Sequence, residues 1–509
     1  MSKTDDGKKS EEANEEAENG ANESAKKAPK EVLPRSSVTH HELTLGGKTI
    51  AYTATAGTLV LKDDEDKPRA SVFFVAYTQD GAEATERPVT FAFNGGPGSA
   101  SLWLQLGTFG PRRVDFPDAV QPPPGPYGLV DNEQSILDLT DLVFIDPVLT
   151  GYSKAEGEAK AEEFLALQPD VATVSAFIRR WVTENQRWRS PKYVAGESYG
   201  TTRAAGVLGA LHDQGMAFHG AILVSTILDF ATVIFEGDND LPPVLHLPTY
   251  AATAWYHDAL PQRPKELEPF LDEVREFARG EYLQALFAGA RLDSDTRAQV
   301  AQKLHRYTGI DPSFIVGSRL RLEISRFCKE LLRQRGRTVG RLDTRYLGRD
   351  HQSVGDVPEH DPAFTAALGP YTAVMQDYLR RELEFEEDRA YQAINMEANR
   401  KWNWAEDKRL GYPSTMAALR KAMLQNTHLR LFVANGYYDL ATPFFAAEHT
   451  IDHLGIDSED YDRVAMTYYE AGHMMYIHPP SLAKLKRDLR AWFEPNSSTR
   501  PQAKTPEFE

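Results

Sequence analysis

Apolar positions along the first part of the chain alternate with polar ones. Between His41 and Tyr77, short alternating runs are separated by a Gly-Gly pair at 46–47 and by the polar segment 63–68. Alternation with a period of two is typical of strands with one buried face, and turn-forming residues between such runs predict antiparallel hairpins. We expect these strands to form one edge of a sheet.

Further along, six nearly continuous apolar runs predict strands that are buried on both faces, as in a parallel sheet. They are Val89–Phe93, Leu142–Ile145, Tyr193–Ala195, Ala221–Val224, Leu431–Ala434 and Val464–Tyr468. Apolar residues at helical spacing from Val171 to Val182 predict an amphipathic helix before the third run. Alternating strands and helices predict an α/β fold, with a mostly parallel central sheet and helices on both faces.

The strand pattern is interrupted in the middle of the chain by charged, helical sequence, and it resumes at Leu431. We interpret this stretch as a mainly helical cap that is inserted into one core. The first residues have almost no aliphatic side chains and cannot bury enough surface to offset the entropy of ordering. The predicted organisation is a charged, disordered tail (1–38), a first core part (39–230), the cap (231–410), a second core part (411–496) and a flexible C-terminal tail (497–509).

Charge and cysteine content narrow the class of protein. The 509 residues are 41% hydrophobic and 26% charged, which is typical of a soluble globular protein. A net charge of −17 without a basic stripe argues against nucleic-acid binding. The most apolar stretch, 217–235, contains His219 and Asp229 and is interpreted as a buried strand rather than a membrane span. A single cysteine, Cys328, and an N-terminus without an apolar signal core favour a cytoplasmic location.

A candidate nucleophile stands in Gly196-Glu197-Ser198-Tyr199-Gly200, a G-x-S-x-G between an apolar strand and a helix rich in small residues. This context is that of the nucleophile elbow of α/β-hydrolases. A serine hydroxyl is a weak nucleophile unless it projects from a tight turn toward a base, and glycines permit the close backbone approach. The sequence therefore predicts Ser198 as the nucleophile of a serine hydrolase, with an ordinary Gly-rich turn as the alternative.

The acid and the base follow in the order that such enzymes use, each after a later strand. Asp439 follows the Leu431 strand, and His473 follows the Val464 strand. His473 would take the proton of Ser198 and return it to the leaving group, while the carboxylate would orient the imidazole. His478 and the four aspartates between 452 and 462 are the local alternatives.

No metal or cofactor is predicted. His449 and His453 are four residues apart, a spacing that suits two ligands on one helix face, but no third ligand pattern accompanies them. Phosphate-binding and dinucleotide-binding motifs are absent from the sequence. Arg203, Tyr437 and Tyr438 are close in sequence to the motif residues. They either line an active-site cleft or are helix-surface or packing residues.

A run of small residues, N-G-G-P-G-S at 94–99, follows the first buried strand. Small residues leave backbone N–H groups free to point at a ligand, and in a hydrolase such groups hold an oxyanion. A tight turn at the strand exit is the alternative interpretation.

Four motifs in chain order resemble the signature series of the serine carboxypeptidase family. They are N-G-G-P-G-S at 94–99, D-P-V-x-T-G-Y-S at 146–153, G-E-S-Y-G at 196–200 and G-H-M at 472–474. The resemblance covers the core and leaves out the tail and the cap. It implies an α/β-hydrolase fold and a peptidase that releases the C-terminal residue of peptides through an acyl-enzyme, without a cofactor.

The resemblance also assigns roles. It implies a triad of Ser198, Asp439 and His473, with an oxyanion hole from the N–H groups of Gly96 and Tyr199.

In the family, further motif residues bind the leaving part of the substrate. The resemblance implies that Asn94 and Glu197 bind the terminal carboxylate of a peptide, and that Met474 helps to form the pocket for the leaving residue. Two carboxylates in contact must share a proton, because like charges raise one pKa, so we expect activity to favour acidic pH. Phe93 stands where the family usually has Trp, and Thr442 stands where many members have Cys. The resemblance therefore does not define the shape of the substrate pocket.

Two alternatives remain on the sequence alone. An esterase or acyltransferase would use the same triad, which this fold readily hosts, but would be indifferent to Asn94, Glu197 and a C-terminal amide. A binding protein without activity would resist labelling by a serine-directed phosphonate. The sequence indicates neither a side-chain preference nor an oligomeric state.

Overall fold

A computed structural model describes most of the chain. The described residues are 32–118, 120–405, 408, 409 and 411–494. The predicted C-terminal tail lies outside them, as does the predicted N-terminal tail up to residue 31. The first strand begins at Ser36, so residues 36–38 belong to the sheet and not to the tail. Of the unit 1–33, only residues 32 and 33 are described, and they are irregular; from Pro34 onward the chain forms a second unit.

The strands are numbered in chain order. They are β1 Ser36–Leu45, β2 Lys48–Lys62, β3 Pro68–Gln79, β4 Val89–Phe93, β5 Arg112–Val114, β6 Leu129–Asp131, β7 Asp141–Ile145, β8 Lys154–Ala155, β9 Lys192–Ser198, β10 Gly220–Thr226, β11 Thr338–Val339, β12 Leu347–Gly348, β13 Lys408–Arg409, β14 Tyr412–Pro413, β15 Arg430–Gly436 and β16 Val464–Tyr469.

The α-helices are numbered in the same way. They are α1 Leu102–Leu104, α2 Leu167–Glu184, α3 Tyr199–Asp213, α4 Leu241–Tyr256, α5 Leu267–Phe277, α6 Leu283–Ala288, α7 Ser294–Thr308, α8 Pro312–Gly317, α9 Ile324–Glu330, α10 Pro362–Arg381, α11 Met396–Lys401, α12 Met416–Gln425, α13 Phe444–Asp452 and α14 Pro479–Phe493. Short 3₁₀ turns lie at Ala161–Phe164, Phe230–Thr232, Gly289–Arg291, Arg333–Arg335, Ser458–Arg463 and Met475–Ile477, and π turns at Gln105–Phe109 and Ala278–Tyr282.

The main sheet has the strand order β1-β2-β3-β7-β4-β9-β10-β15-β16, with β8 paired to β3. The first three strands are antiparallel, which confirms the predicted hairpins. Two of the alternating runs, 49–54 and 58–61, both lie in the one long strand β2. The six predicted buried runs lie in β4, β7, β9, β10, β15 and β16, which pair in parallel. The predicted α/β fold is confirmed.

Helices cover both faces of this sheet because its central strands are apolar on both sides. All residues of β4, β7 and β10 are buried. On one face they pack against α2, α3 and α12, and the predicted amphipathic helix is α2. On the other face they pack against α10 and α14. Among the described residues, no helix is long and apolar enough to cross a membrane.

The insertion between β10 and β15 is mainly helical but does not form one separate layer. Helices α4 to α9 build a third apolar cluster, which also takes in Tyr437 and Tyr438 from the loop after β15 and Phe444 at the start of α13. In contrast, α10 buries a face that includes Ala366, Tyr371 and other apolar residues on the main sheet. The segment predicted as a cap therefore also supplies a helix of the core.

Candidate active site

The elbow at Ser198 has the strand–turn–helix form expected from its sequence. Ser198 is the last residue of β9 and precedes α3, with φ 59° and ψ −132°. This is a strained conformation for a residue with a side chain, and such strain is typical of functional sites. A Cβ at Gly196 would lie 2.1 Å from the carbonyl oxygen of Gly200, so the turn requires a glycine there. The hydroxyl is thus presented at the carboxyl end of the sheet.

The N-G-G-P-G-S loop leaves the neighbouring strand at the same edge, because Phe93 pairs with Gly196. A Cβ at Gly95 would lie 2.5 Å from the backbone nitrogens of both Tyr199 and Gly200. The loop therefore packs backbone against backbone on the first turn of α3. This contact brings Gly96 and Tyr199 into the same wall of a cleft.

A histidine and a carboxylate meet after β15 and β16. Asp439 Oδ2 lies 2.7 Å from His473 Nδ1, and both side chains are buried. The other oxygen, Oδ1, accepts hydrogen bonds from the backbone N–H groups of Ala441 (2.8 Å) and Thr442 (3.1 Å). The Thr442 hydroxyl donates to Oδ2 at 2.7 Å. These contacts fix the carboxylate that orients the imidazole.

His473 is also held through its backbone. Its N–H donates to the carbonyl of Leu342 at 2.6 Å, and the Ser225 hydroxyl donates to its carbonyl at 2.7 Å. His473 and Ser198 line the same cleft, which has a volume of about 890 Å³. In the described structure no hydrogen bond joins the two side chains, and such contacts commonly tighten only when substrate binds.

Two opposing effects set the pKa of His473. Burial lowers it, but the charge and hydrogen bond of Asp439 and the charge of Glu197 outweigh burial and leave the pKa above its usual value. Positive charge on the imidazole is therefore stabilised, as a general base requires when it takes up a proton.

Glu197 is a buried carboxyl group inside the cleft. The Tyr476 hydroxyl donates to its Oε2 at 2.8 Å, and the Asn94 side chain also hydrogen bonds to it. Burial raises the pKa of Glu197 to about 7, although His473 and these hydrogen bonds partly oppose the rise. The Asn94 side-chain oxygen accepts from the N–H of Leu104 at 3.0 Å, which leaves the amide nitrogen for Glu197. A carboxyl group with this pKa is largely protonated in mildly acidic solution.

The structure brings the predicted site residues together. Those that line the cleft are Asn94, Gly96, Glu197, Ser198, Tyr199, His473 and Met474. Asp439 lies fully buried behind His473.

Arg203 lies behind the oxyanion segment and not in the cleft. It is fully buried, and its Nε donates to Asp170 Oδ2 at 2.8 Å while an Nη donates to the carbonyl of Asn94 at 2.6 Å. Asp170 also accepts from the Tyr199 hydroxyl at 3.1 Å. The guanidinium lies against the rings of Phe93 and Tyr199. It therefore ties the loop after β4 to the helices α2 and α3.

Three residues support the site in ways that the sequence motifs do not indicate: Asp170, Thr442 and Tyr476. The position of Thr442, three residues after Asp439, was a usable signal, since Asp side chains often accept hydrogen bonds from residues two or three further along. Asp170 and Tyr476 are distant in sequence from their partners, and no local pattern indicates those contacts.

The other candidates take no part in the cleft. His478 contacts Asp118 and Ser481 at the start of α14. The hydroxyl of Tyr437 donates to Glu268, and the ring of Tyr438 packs on Tyr256.

The rings of His449 and His453 lie against each other at an angle of 34°, with 4.0 Å between their centroids. Within the described ranges no group of three or more His, Cys, Asp or Glu residues could hold a metal ion.

The strand order, the strained serine and the His–Asp pair define a serine hydrolase of the α/β-hydrolase class. The family model for serine carboxypeptidase matches residues 49–478, which is most of the chain. The chain therefore belongs to the serine carboxypeptidase family and is a serine-type carboxypeptidase, as its motifs predict.

Solved structures resemble this chain, and the first of the two named here shares its fold. The prohormone-processing carboxypeptidase Kex1 of Saccharomyces cerevisiae superposes with a TM-score of 0.55 at 15% identity, over 87% of this chain and 91% of that one. Proline iminopeptidase of Mycobacterium smegmatis gives 0.37 at 14% identity, over 86% and 98%. A search of curated protein sequences gave no significant match.

Proposed function

We propose that this carboxypeptidase cleaves the last peptide bond of peptides that have a free C-terminal carboxylate, with Ser198 as nucleophile. The observation that carries the proposal is the buried Glu197, which shares the cleft with Ser198 and His473 and has a pKa of about 7. An esterase has no use for a buried acid beside its nucleophile, whereas a carboxypeptidase needs a group that tolerates a second carboxylate.

In the proposed reaction, His473 removes the proton of the Ser198 hydroxyl as the oxygen attacks the scissile carbonyl. The N–H groups of Gly96 and Tyr199 stabilise the negative charge that develops on the carbonyl oxygen. His473 then protonates the leaving nitrogen, and the C-terminal amino acid departs. Water, with His473 again as general base, hydrolyses the acyl-enzyme and restores Ser198.

Recognition of the carboxylate is assigned to Asn94 and Glu197. An ionised substrate carboxylate beside an ionised Glu197 would be strongly unfavourable in a buried site, so Glu197 must be protonated to donate a hydrogen bond. Met474, next to His473, would contact the side chain of the leaving residue. The pKa of about 7 keeps Glu197 protonated in mildly acidic solution without a substrate.

Release of the free amino acid from a blocked dipeptide, and of the amino-acid amide from its C-terminal amide, between pH 4 and 8, tests the proposal. We expect release from the acid, strongest below pH 7, much weaker release from the amide, and none from Ser198→Ala. Equal rates for the acid and the amide would instead favour the esterase or acyltransferase alternative. A serine-directed phosphonate should label the wild type and not the variant. Labelling thus distinguishes an enzyme without its nucleophile from one that does not accept these dipeptides.

We also propose that the protein is located in the cytoplasm. Cys328, the single cysteine of the chain, is buried among cap residues and has a pKa raised by burial. Activity should therefore be insensitive to thiol reductants, and cell fractionation would test the location directly.

A further inference from the structure

Arg341 is a cationic residue in the wall of the cleft. Of the described residues that line the cleft, it is the only Lys or Arg. Its guanidinium forms no hydrogen bond or ion pair within the described parts of the chain. Arg345, four residues later, is instead buried and paired with Asp343. Arg341 is thus available to bind a ligand.

The backbone around Arg341 is attached to both loops of the triad. Its carbonyl accepts from the N–H of Leu440 at 3.0 Å, beside Asp439. The carbonyl of Leu342 accepts from the N–H of His473 at 2.6 Å, and the N–H of Leu342 donates to Asp361 Oδ2 at 2.9 Å. The Cα of Arg341 is therefore held in a fixed position relative to the reacting groups.

No acidic side chain of the described residues forms an ion pair with the guanidinium of Arg341. The three described acidic residues that line the cleft have other hydrogen-bond partners. Asp361 accepts from backbone N–H groups at the start of α10, Glu236 from the Tyr412 hydroxyl at 3.0 Å, and Glu197 from the Tyr476 hydroxyl. The positive charge of Arg341 acts at the triad, where it lowers the pKa of His473. Much of the remaining wall is apolar, which strengthens an ion pair that forms in the cleft.

We propose that Arg341 binds the side-chain carboxylate of an Asp or Glu residue next to the scissile bond. Through the backbone of Arg341 and Leu342, this segment adjoins two stretches of cleft wall: Leu440 precedes Ala441, and His473 precedes Met474. The acidic residue is therefore either the leaving residue or the residue before it. The inference rests on the proposed function, because it requires a peptide that is cleaved at its C-terminal bond.

The test compares blocked dipeptides that differ only by Glu or Gln, placed in the first or the second position. We expect wild type to favour Glu over Gln at one position by about tenfold or more in kcat/KM, as a charge-assisted hydrogen bond allows. Arg341→Gln should bring this ratio close to one, and Arg341→Lys should keep part of it. Arg337→Gln removes a nearby charge outside the cleft and should leave the ratio unchanged.

Because the ratio is taken within one enzyme, a general loss of activity does not change it. A Glu-to-Gln ratio near one in wild type at both positions, or an unchanged ratio in Arg341→Gln, would overturn the proposal. If Arg341→Gln loses activity equally toward all free acids and keeps the Glu-to-Gln ratio of wild type, Arg341 would instead bind the terminal carboxylate. If wild type releases no amino acid from any free acid, the proposed function itself fails, and that outcome is distinct from the others.

Discussion

The carboxylate of Asp439 accepts three hydrogen bonds besides its contact with His473. Two come from backbone N–H groups, and one comes from the hydroxyl of Thr442. We expect Thr442→Val to lower kcat by roughly threefold to tenfold, because the loss of a hydrogen bond to a charged group loosens the orientation of the imidazole. With one donor fewer on Asp439, the pKa of His473 should rise, so the acid limb of kcat/KM should move to higher pH.

Steady-state kinetics on a blocked dipeptide from pH 4 to 8 measure both effects. Thr442→Ser keeps the hydroxyl and should restore the wild-type profile. A Val variant with unchanged kcat and an unmoved acid limb would show that the hydroxyl does not support the triad.

Glu197 should control how substrate affinity depends on pH. Its pKa is about 7, so the wild-type KM for a free acid should rise as the pH passes 7 and the carboxyl group loses its proton. Glu197→Gln cannot ionise, and its KM should stay flat from pH 5 to 8. An ester substrate without a carboxylate serves as control, since its KM should not follow Glu197 in either enzyme. A Gln variant that keeps the rise in KM above pH 7 would contradict this role.

The contact of α2, α3 and the loop after β4 depends on one buried ion pair. Arg203→Met would leave Asp170 buried without its cation, which typically costs about 3–5 kcal/mol of stability. Adding Asp170→Asn should recover part of that loss, because no unpaired charge then remains. Chemical unfolding of the two single variants and the double variant measures the coupling, and simple additivity would argue against it.

The same pair should affect catalysis through the oxyanion segment. Arg203 donates to the carbonyl of Asn94 and lies against the ring of Tyr199. We expect a lower kcat in any Arg203→Met protein that stays folded, on esters as well as peptides, because the oxyanion hole serves both.

The elements show how far a sequence can be interpreted. Strands such as β4 and β7 were predictable because they are buried on both faces, which leaves a continuous apolar run. The triad was predictable because each residue follows a strand in a fixed order. The division of the insertion was not predictable: α10 packs on the sheet and α4 to α9 on each other, and the apolar positions of a helix do not indicate which partner it packs against. Likewise, Arg203 and Asp170 lie 33 residues apart, and pattern alone does not pair them.

The chain as a whole carries carboxyl groups that are costly to bury when ionised. Glu197 and Asp146 are both buried, and burial raises the pKa of each to about 7. In the unfolded chain such groups titrate near pH 4. The folded protein therefore holds protons that the unfolded chain releases between about pH 4 and 7. The stability that these protons contribute is fully present below pH 4 and is lost as the pH rises through 7.

Glu197→Gln and Asp146→Asn replace these groups by neutral amides of similar shape. Each variant should therefore lose less stability than wild type between pH 5 and pH 8, by on the order of 2 kcal/mol. Chemical unfolding at the two pH values measures the difference, and Asp64→Asn, in the exposed turn between β2 and β3, is the matched control that should behave as wild type.

If the Glu197 variant alone shows the effect, burial of ionised carboxylate is confined to the catalytic cleft. If neither variant shows the effect, contacts in the folded protein must stabilise both carboxylates when they ionise. If Glu197→Gln gains stability at pH 8 and loses turnover of free acids, the enzyme maintains a costly buried acid for the sake of its substrate.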